Sequence, residues 1–434
     1  MYKQTTLNNG LTLITAPVKG TKTVTILVTV GTGAKYEDRR LNGISHFLEH
    51  MFFKGTKKRP TPFAVASGAD AIGGEFNAFT SKESTSYYMK VDAAKTEQAV
   101  EMLADMLTNS LFNAAELERE KGVIMEEINM YYDNPMMHIE DVFEDLMYGD
   151  TPAGWSTAGK KEVVAKFTRK DFVDYYSSQY QLKNTLVIAA GDINSKTTKL
   201  IEKYFTDFSR SHNFGVFKEK ERVALKQHQP RLKMEFKQTD QAHLSLGVHS
   251  YPYGHKKEAA LKILGIILGG SMSARLFMEL REKRGLAYYV RTESEPYSDC
   301  GYLTSRAGVP VARTEEAIKV ILDEYGKLKK ALVPKDELQR VKDMIRGKIT
   351  IQLEASDDVA NWYSRQAVLD LTQARAGAKG AGIETPEQFF REIDKVTPAE
   401  IRAVAREIFV PENLNLAIIG PFKDENSFRK LLIL

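Results

Sequence analysis

This chain repeats itself, and the repeat narrows the folds open to it. FFKGT around Gly55 lines up with ILGGS around Gly270, an offset of 215, and ELEREKGVI from Glu116 lines up with ELQRVKDMI from Glu337, an offset of 221. A duplication of about 220 residues within 434 means the same supersecondary order is built twice, each copy with its own core. In the first copy, TVTILVTVG (23–31) alternates as a strand, a helix follows over 43–54, and GGEFNAFTSKESTSYYMKVD (73–92) reads as a hairpin. Helices are expected over 95–109, 114–132, 137–148 and 169–180, then a buried strand over 184–193 and a helix to about 206. The predicted fold is α+β, with two duplicated lobes that each pack helices on an antiparallel sheet. The boundaries expected are 1–208, a polar linker over 209–231, and 232–434.

Charge and cysteine content exclude several classes. The 61 basic and 57 acidic residues are mixed along the chain and leave a net charge of +4, so no basic block marks a nucleic-acid partner. The single cysteine, Cys300, excludes an intrachain disulfide framework and reads as a small buried hydrophobe. No apolar run reaches the roughly 18 residues of a membrane span, and the start MYKQTTLNNG does not read as a secretory signal. The expectation is a cytoplasmic protein without a membrane partner.

What the two copies do not share is more informative. In GISHFLEHMFFKG (43–55), Ile44, Phe47, Leu48, Met51 and Phe52 form an apolar stripe at helical spacing, and His46, Glu49 and His50 cluster roughly opposite. The second copy carries Leu261, Leu264 and Gly265 there. A merely solvated face drifts from one polar residue to another, so this wholly apolar replacement points to a specialised site in the first lobe. Histidines at i and i+4 can present two ring nitrogens to one zinc ion with a glutamate beside the metal. A third ligand is sought in ELEREKGVIMEEINMYYDN (116–134). There Leu117, Ile124, Ile128 and Tyr131 make the apolar stripe, Glu120 and Glu127 share one edge of it, and Glu126 points away. Periodicity favours Glu127 as the ligand, with Glu120 its neighbour; the second copy has Val341 and Lys348 at these positions.

HFLEH, followed 77 residues after its last histidine by Glu127 in EREKGVIMEEI, resembles the inverted-zinc-motif peptidases of the pitrilysin family. The resemblance extends over LNNGLTLI, GGEFNAFTSKEST and, in the second lobe, MSARLFMELREKRGLAYYV, and is closest to the group of the mitochondrial processing peptidase subunits and their compact bacterial relatives. It implies a zinc endopeptidase with one Zn2+ per chain on His46, His50 and Glu127, Glu49 as general base, and Glu120 in a supporting acidic role. It also implies substrate-backbone contacts at Asn77 and Ala78, with Arg281 and Tyr288 completing the site from a second lobe that faces the first across a cavity. The substrate expected is a peptide or unfolded polypeptide. A homodimer suffices as the assembly, because both motifs lie in one chain; a heterodimer is the other arrangement. The loop TPAGWSTAGKKEV (151–163) departs from the family pattern. The competing function is a non-catalytic scaffold or partner subunit of a heterodimeric processing peptidase; such a copy is expected to lose Glu49 or a ligand, and this chain keeps them all. The remaining histidines, His138, His212, His228, His243, His249 and His255, lack ligand spacing and are expected to have surface or structural roles.

Overall fold

The computed structural model describes residues 2–209 and 215–434; residues 210–214 of the expected linker, His212 among them, lie outside the described residues. The first half runs β1 (Lys3–Thr6), β2 (Thr12–Pro17), β3 (Thr23–Val30), α1 (Ile44–Met51), α2 (Pro62–Asp70), β4 (Glu75–Thr80) and β5 (Thr85–Asp92). It continues with α3 (Thr96–Asn109), α4 (Ala114–Asp133), α5 (Pro135–Tyr148), α6 (Lys161–Val164), α7 (Arg169–Gln179), β6 (Thr185–Gly191) and α8 (Ser195–Phe205). The second half runs β7 (Arg231–Phe236), β8 (Gln241–His249), α9 (Glu258–Gly269), β9 (Tyr289–Pro296), β10 (Gly301–Pro310), α10 (Thr314–Lys330) and α11 (Lys335–Gln352). After these come α12 (Ser356–Arg375), α13 (Pro386–Lys395), α14 (Pro398–Ile408), β11 (Leu414–Gly420) and α15 (Asn426–Arg429).

The duplication is visible in the sheets. The first has the order β1-β2-β6-β3-β5-β4 and the second β7-β11-β8-β10-β9, so removing β1 makes them match strand for strand. Each is mixed rather than purely antiparallel: β2 pairs parallel with β6, and β7 with β11, while the other neighbours are antiparallel. The expectation of antiparallel sheets is corrected to that extent. Parallel neighbours need a long crossover, and here the helical part of each copy intervenes between the paired strands.

The chain packs as two compact units that interleave along the sequence. One comprises Met1–Asn129, Ser156–Glu221 and Ile349–Thr385; the other comprises Met130–Trp155, Arg222–Lys348 and Pro386–Leu434. The single cut expected between residues 208 and 232 therefore does not describe two helical segments, which sit in the unit of the opposite half. The reason lies in β3, whose two faces are both covered. Val24, Ile26, Val28 and Val30 enter a core with Phe47, Leu48 and Leu103. On the other face the hydroxyls of Thr23 and Thr25 meet Ser356 of α12 at 2.9 and 2.8 Å, and Thr29 meets Ser364 at 2.6 Å. A second face of this kind needs its own helix, and each buried hydroxyl pair adds about 1 kcal/mol once satisfied. In the other unit α5 is the covering helix, with Ile139, Val142 and Phe143 packed on Tyr302, Ala417 and Ile419. Cys300 is buried in that same cluster. Among the described residues no helix is long and apolar enough to cross a membrane.

Candidate metal centre

The apolar stripe of α1 is fully used: Ile44, Phe47, Leu48, Met51 and Phe52 are all 0% exposed. Its polar face is covered too, with His46 at 8% and Glu49 at 9% exposure, which excludes a solvated face. Two elements close over it. One is β4, the edge strand of the sheet, whose Phe76 packs on Phe53 with ring centroids 5.4 Å apart. From the same strand Thr80 donates its hydroxyl to Oε2 of Glu49 at 2.5 Å. The other is α4, which buries Leu117, Glu120 and Ile124, leaves Glu127 partly buried and leaves Glu126 exposed.

His46, His50 and Glu127 converge. Nε2 of His46 is 3.4 Å from Oε1 of Glu127, Nε2 of His50 is 3.5 Å from Oε2, and the three ligand atoms lie within 4.8 Å of one another. These separations exceed the roughly 2.7–3.2 Å of a good N–H···O bond. They are close to the ~3.3 Å edge of a tetrahedron of ligands about 2.0–2.1 Å from a zinc ion. The residues present thus fit zinc: two imidazoles and one carboxylate are the donor set of a catalytic site that keeps a position open.

Electrostatics agree. Burial disfavours charge on His46, but the Glu127 carboxylate beside it, then attraction from Glu49 and Glu37, outweigh it and hold the imidazole pKa above its usual value. Burial likewise raises the Glu49 carboxyl, against the Thr80 hydrogen bond and the two histidines. Glu120, 4% exposed, accepts from Nδ1 of His50 at 2.9 Å and pairs through its other oxygen with Lys54 at 2.6 Å. Burial pushes the Glu120 carboxyl up, but these two partners prevail and hold it below its ordinary value. A carboxylate on Nδ1 leaves Nε2 of His50 as the unprotonated nitrogen turned toward the centre.

Sequence reasoning missed three neighbours of this cluster: Lys54, Thr80 and Glu37. The first two act across space on residues whose spacing carries no trace of them. Glu37 acts through the backbone, at the Gly43 and Ser45 amides of the first turn of α1.

Asn77 and Ala78 lie on the edge strand β4, and Oδ1 of Asn77 accepts from the Ala78 amide at 2.9 Å. Arg281 and Tyr288 belong to the other unit. Arg281 sits in a π-helical turn, Phe277–Glu282, and donates to the Tyr288 carbonyl at 2.9 Å; the Tyr288 side chain is exposed. Of the remaining histidines, His138 pairs with Glu235 at 3.0 Å, His243 meets the Tyr289 hydroxyl at 3.0 Å, His249 is buried and His255 stacks on Tyr251. In α9 the counterparts of His46, Glu49 and His50, namely Leu261, Leu264 and Gly265, are buried.

Comparison with known proteins places this geometry. Residues 13–161 match the family described as Insulinase (Peptidase family M16), and residues 166–345 match the Peptidase M16 inactive domain. The chain belongs to the M16 peptidase family, the pitrilysin-type metallopeptidases that the motif resembles. A Bacillus subtilis relative named uncharacterized zinc protease YmxG is 33% identical over 97% of this chain and 98% of its own. A Streptomyces coelicolor relative, also named an uncharacterized zinc protease, is 31% identical over 98% of this chain and 91% of its own. Among solved structures, a protease from Helicobacter pylori superposes with a TM-score of 0.88 at 25% identity, over 97% of this chain and 99% of that one. A chain of complex III2 from Candida albicans shares the fold, with a TM-score of 0.82 at 16% identity over all of both chains.

Proposed function

We propose that the protein is a zinc endopeptidase that hydrolyses peptide bonds in peptides or unfolded segments. The observation that carries this reading is the convergence of His46, His50 and Glu127 beside a Glu49 already held by Thr80. One zinc ion per chain would be held by His46, His50 and Glu127. Such an ion supplies Lewis acidity, polarising a carbonyl and making water acidic enough to lose a proton near neutral pH.

The chain's own residues supply the rest. Thr80 fixes Oε2 of Glu49 through its hydroxyl, and the carboxylate takes a proton from the attacking water as the water's oxygen bonds to the scissile carbon. When the C–N bond breaks, the same carboxyl returns that proton to the leaving amine, and the products are a carboxylate and an amine. Glu120 keeps His50 in its ligating tautomer. The open edge of β4 at Asn77 and Ala78 offers main-chain groups to an extended peptide, with Asn77 giving up its own bond to the Ala78 amide. Recognition led by main chain favours segments that can extend. Arg281 and Tyr288 are proposed to bind the substrate carbonyl and its oxyanion; for this pair the support is the family resemblance.

The description "inactive domain" covers residues 166–345, which hold the apolar counterparts in α9, and not the ligands in the first half. That favours the enzyme over the scaffold. A homodimer is the proposed assembly, checked by light scattering of the purified protein. The deciding test is Glu49→Gln: zinc content by elemental analysis stays at one per chain while hydrolysis of a peptide mixture, followed by mass spectrometry, falls two to four orders of magnitude, about the range of general acid–base catalysis. Near-normal turnover in that variant defeats the mechanism, and a wild type that cleaves nothing favours the scaffold.

A further inference from the structure

We propose that Glu37 is a positioning residue for the metal centre, a buried carboxylate that grips the first turn of α1 and thereby fixes where His46 and His50 stand. The helix needs such help. It has only eight residues, Ile44–Met51, and helices so short do not hold themselves. Its N-cap is Gly43, at φ +96°, with no side chain to offer the first-turn amides. Glu37 provides the acceptors from upstream. Its Oε2 accepts from the Gly43 amide at 2.7 Å and from the Asn42 side chain at 3.1 Å, and its Oε1 accepts from the Ser45 amide at 2.8 Å. Glu37 is 3% exposed, and a carboxylate at a helix N-terminus also meets the positive end of the helix dipole.

Two further contacts hold the same turn. The Tyr175 hydroxyl, from α7, bonds Ser45 Oγ at 2.7 Å and Thr32 Oγ1 at 2.9 Å. The backbone at Gly159 passes so close that a Cβ on Gly43 would stand 2.7 Å from the Ala158 carbonyl oxygen, and a Cβ on Gly159 would stand 2.5 Å from that of Asn42. The turn is thus clamped on three sides.

The clamp matters most for His46. Nδ1 of His50 is held by Glu120, but Nδ1 of His46 is buried with no hydrogen-bond partner among the described residues. Away from Glu127, the His46 ring is therefore placed by its backbone and packing. Its backbone follows Ser45 directly, and Ser45 is gripped by Glu37. A helix turns about 100° per residue, so a small rotation of this turn swings Nε2 of His46 away from Glu127.

The inference rests on the zinc reading, and the experiment separates the two. In Glu37→Gln the side chain keeps its shape but has one acceptor oxygen, and its amide group faces a backbone N–H. Zinc affinity is measured by chelator competition well below the melting temperature, and the visible spectrum of the Co2+-substituted protein is recorded. The zinc-free melting temperature is measured alongside. The expected result is a ten- to hundredfold rise in the zinc Kd, the scale seen for lost supporting contacts of metal ligands, and an altered cobalt band. A merely structural Glu37 would lower the melting temperature and leave both metal readouts unchanged, which overturns the proposal. Should Glu37→Gln not fold, Tyr175→Phe replaces it, with a three- to tenfold rise expected; no change in its Kd or spectrum equally overturns the proposal. A wild type that binds no zinc defeats the underlying reading as well, whereas equal binding by wild type and variant defeats this inference alone.

Discussion

Replacing Glu120 with glutamine removes a charge and one acceptor from a residue that serves two donors. In the native protein Oε1 takes Nδ1 of His50 at 2.9 Å and Oε2 takes the Lys54 ammonium at 2.6 Å. Glutamine has a single acceptor oxygen, and the ammonium, which can only donate, competes for it. If Lys54 wins, the amide NH2 faces Nδ1 of His50, which must then accept. The ring proton moves to Nε2, the nitrogen 3.5 Å from Glu127, and the lone pair needed for the metal is lost. The native contact is charge-assisted, about 1.5–3 kcal/mol, so zinc affinity should fall roughly ten- to hundredfold. Chelator competition at pH 7.5 reads this directly. The competition also predicts a rescue: in Lys54→Met/Glu120→Gln the amide oxygen is free to turn to His50, and the loss should shrink to less than about fivefold, a non-additivity expected of coupled neighbours. An affinity in Glu120→Gln within twofold of wild type, or a double variant no better than the single one, refutes the reasoning.

Glu127→Gln should cost zinc affinity at least tenfold while replacing the exposed Glu126, which accepts from Asn129 at 3.3 Å, by glutamine changes it less than twofold; metal titration of both variants decides which glutamate is the ligand. Tyr288→Phe should slow kcat by roughly ten- to a thousandfold, the scale of one oxyanion donor, with zinc content intact, and unchanged steady-state kinetics would remove Tyr288 from the chemistry. Burial, reinforced by the Arg231 charge, pushes the His249 imidazole down from 6.5 to about 4. Its folded pKa lies below its unfolded one, so stability is complete above pH 6.5 and is lost as pH falls toward 4, by about 3 kcal/mol in all. His249→Gln should flatten that part of a denaturation-versus-pH curve, and identical slopes for variant and wild type would contradict the assignment.

The sequence alone determined whatever depends on helical or strand period. The stripe Ile44, Phe47, Leu48, Met51 and Phe52 is the fully buried face of α1, and a 100° step along α4 separates the partly buried Glu127 from the exposed Glu126. The duplication was legible as well, because matched residues at offsets of 215 and 221 mark matched elements, and the two sheet orders agree. Tertiary structure decided what covers those faces. Nothing local to Glu49 names Thr80, nothing local to Glu120 names Lys54, and Glu37 reaches Ser45 only because the chain between them turns back. The placement of α5 and α12 shows the same limit on a larger scale. A β-rich run such as TVTILVTV reveals that it is a strand, but any amphipathic helix of suitable length can lie on it. Backbone geometry fixes the period of a segment, and the period survives in the sequence; which surface meets which is set by chain closure and by the shape of the finished sheet, to which no single segment holds the key.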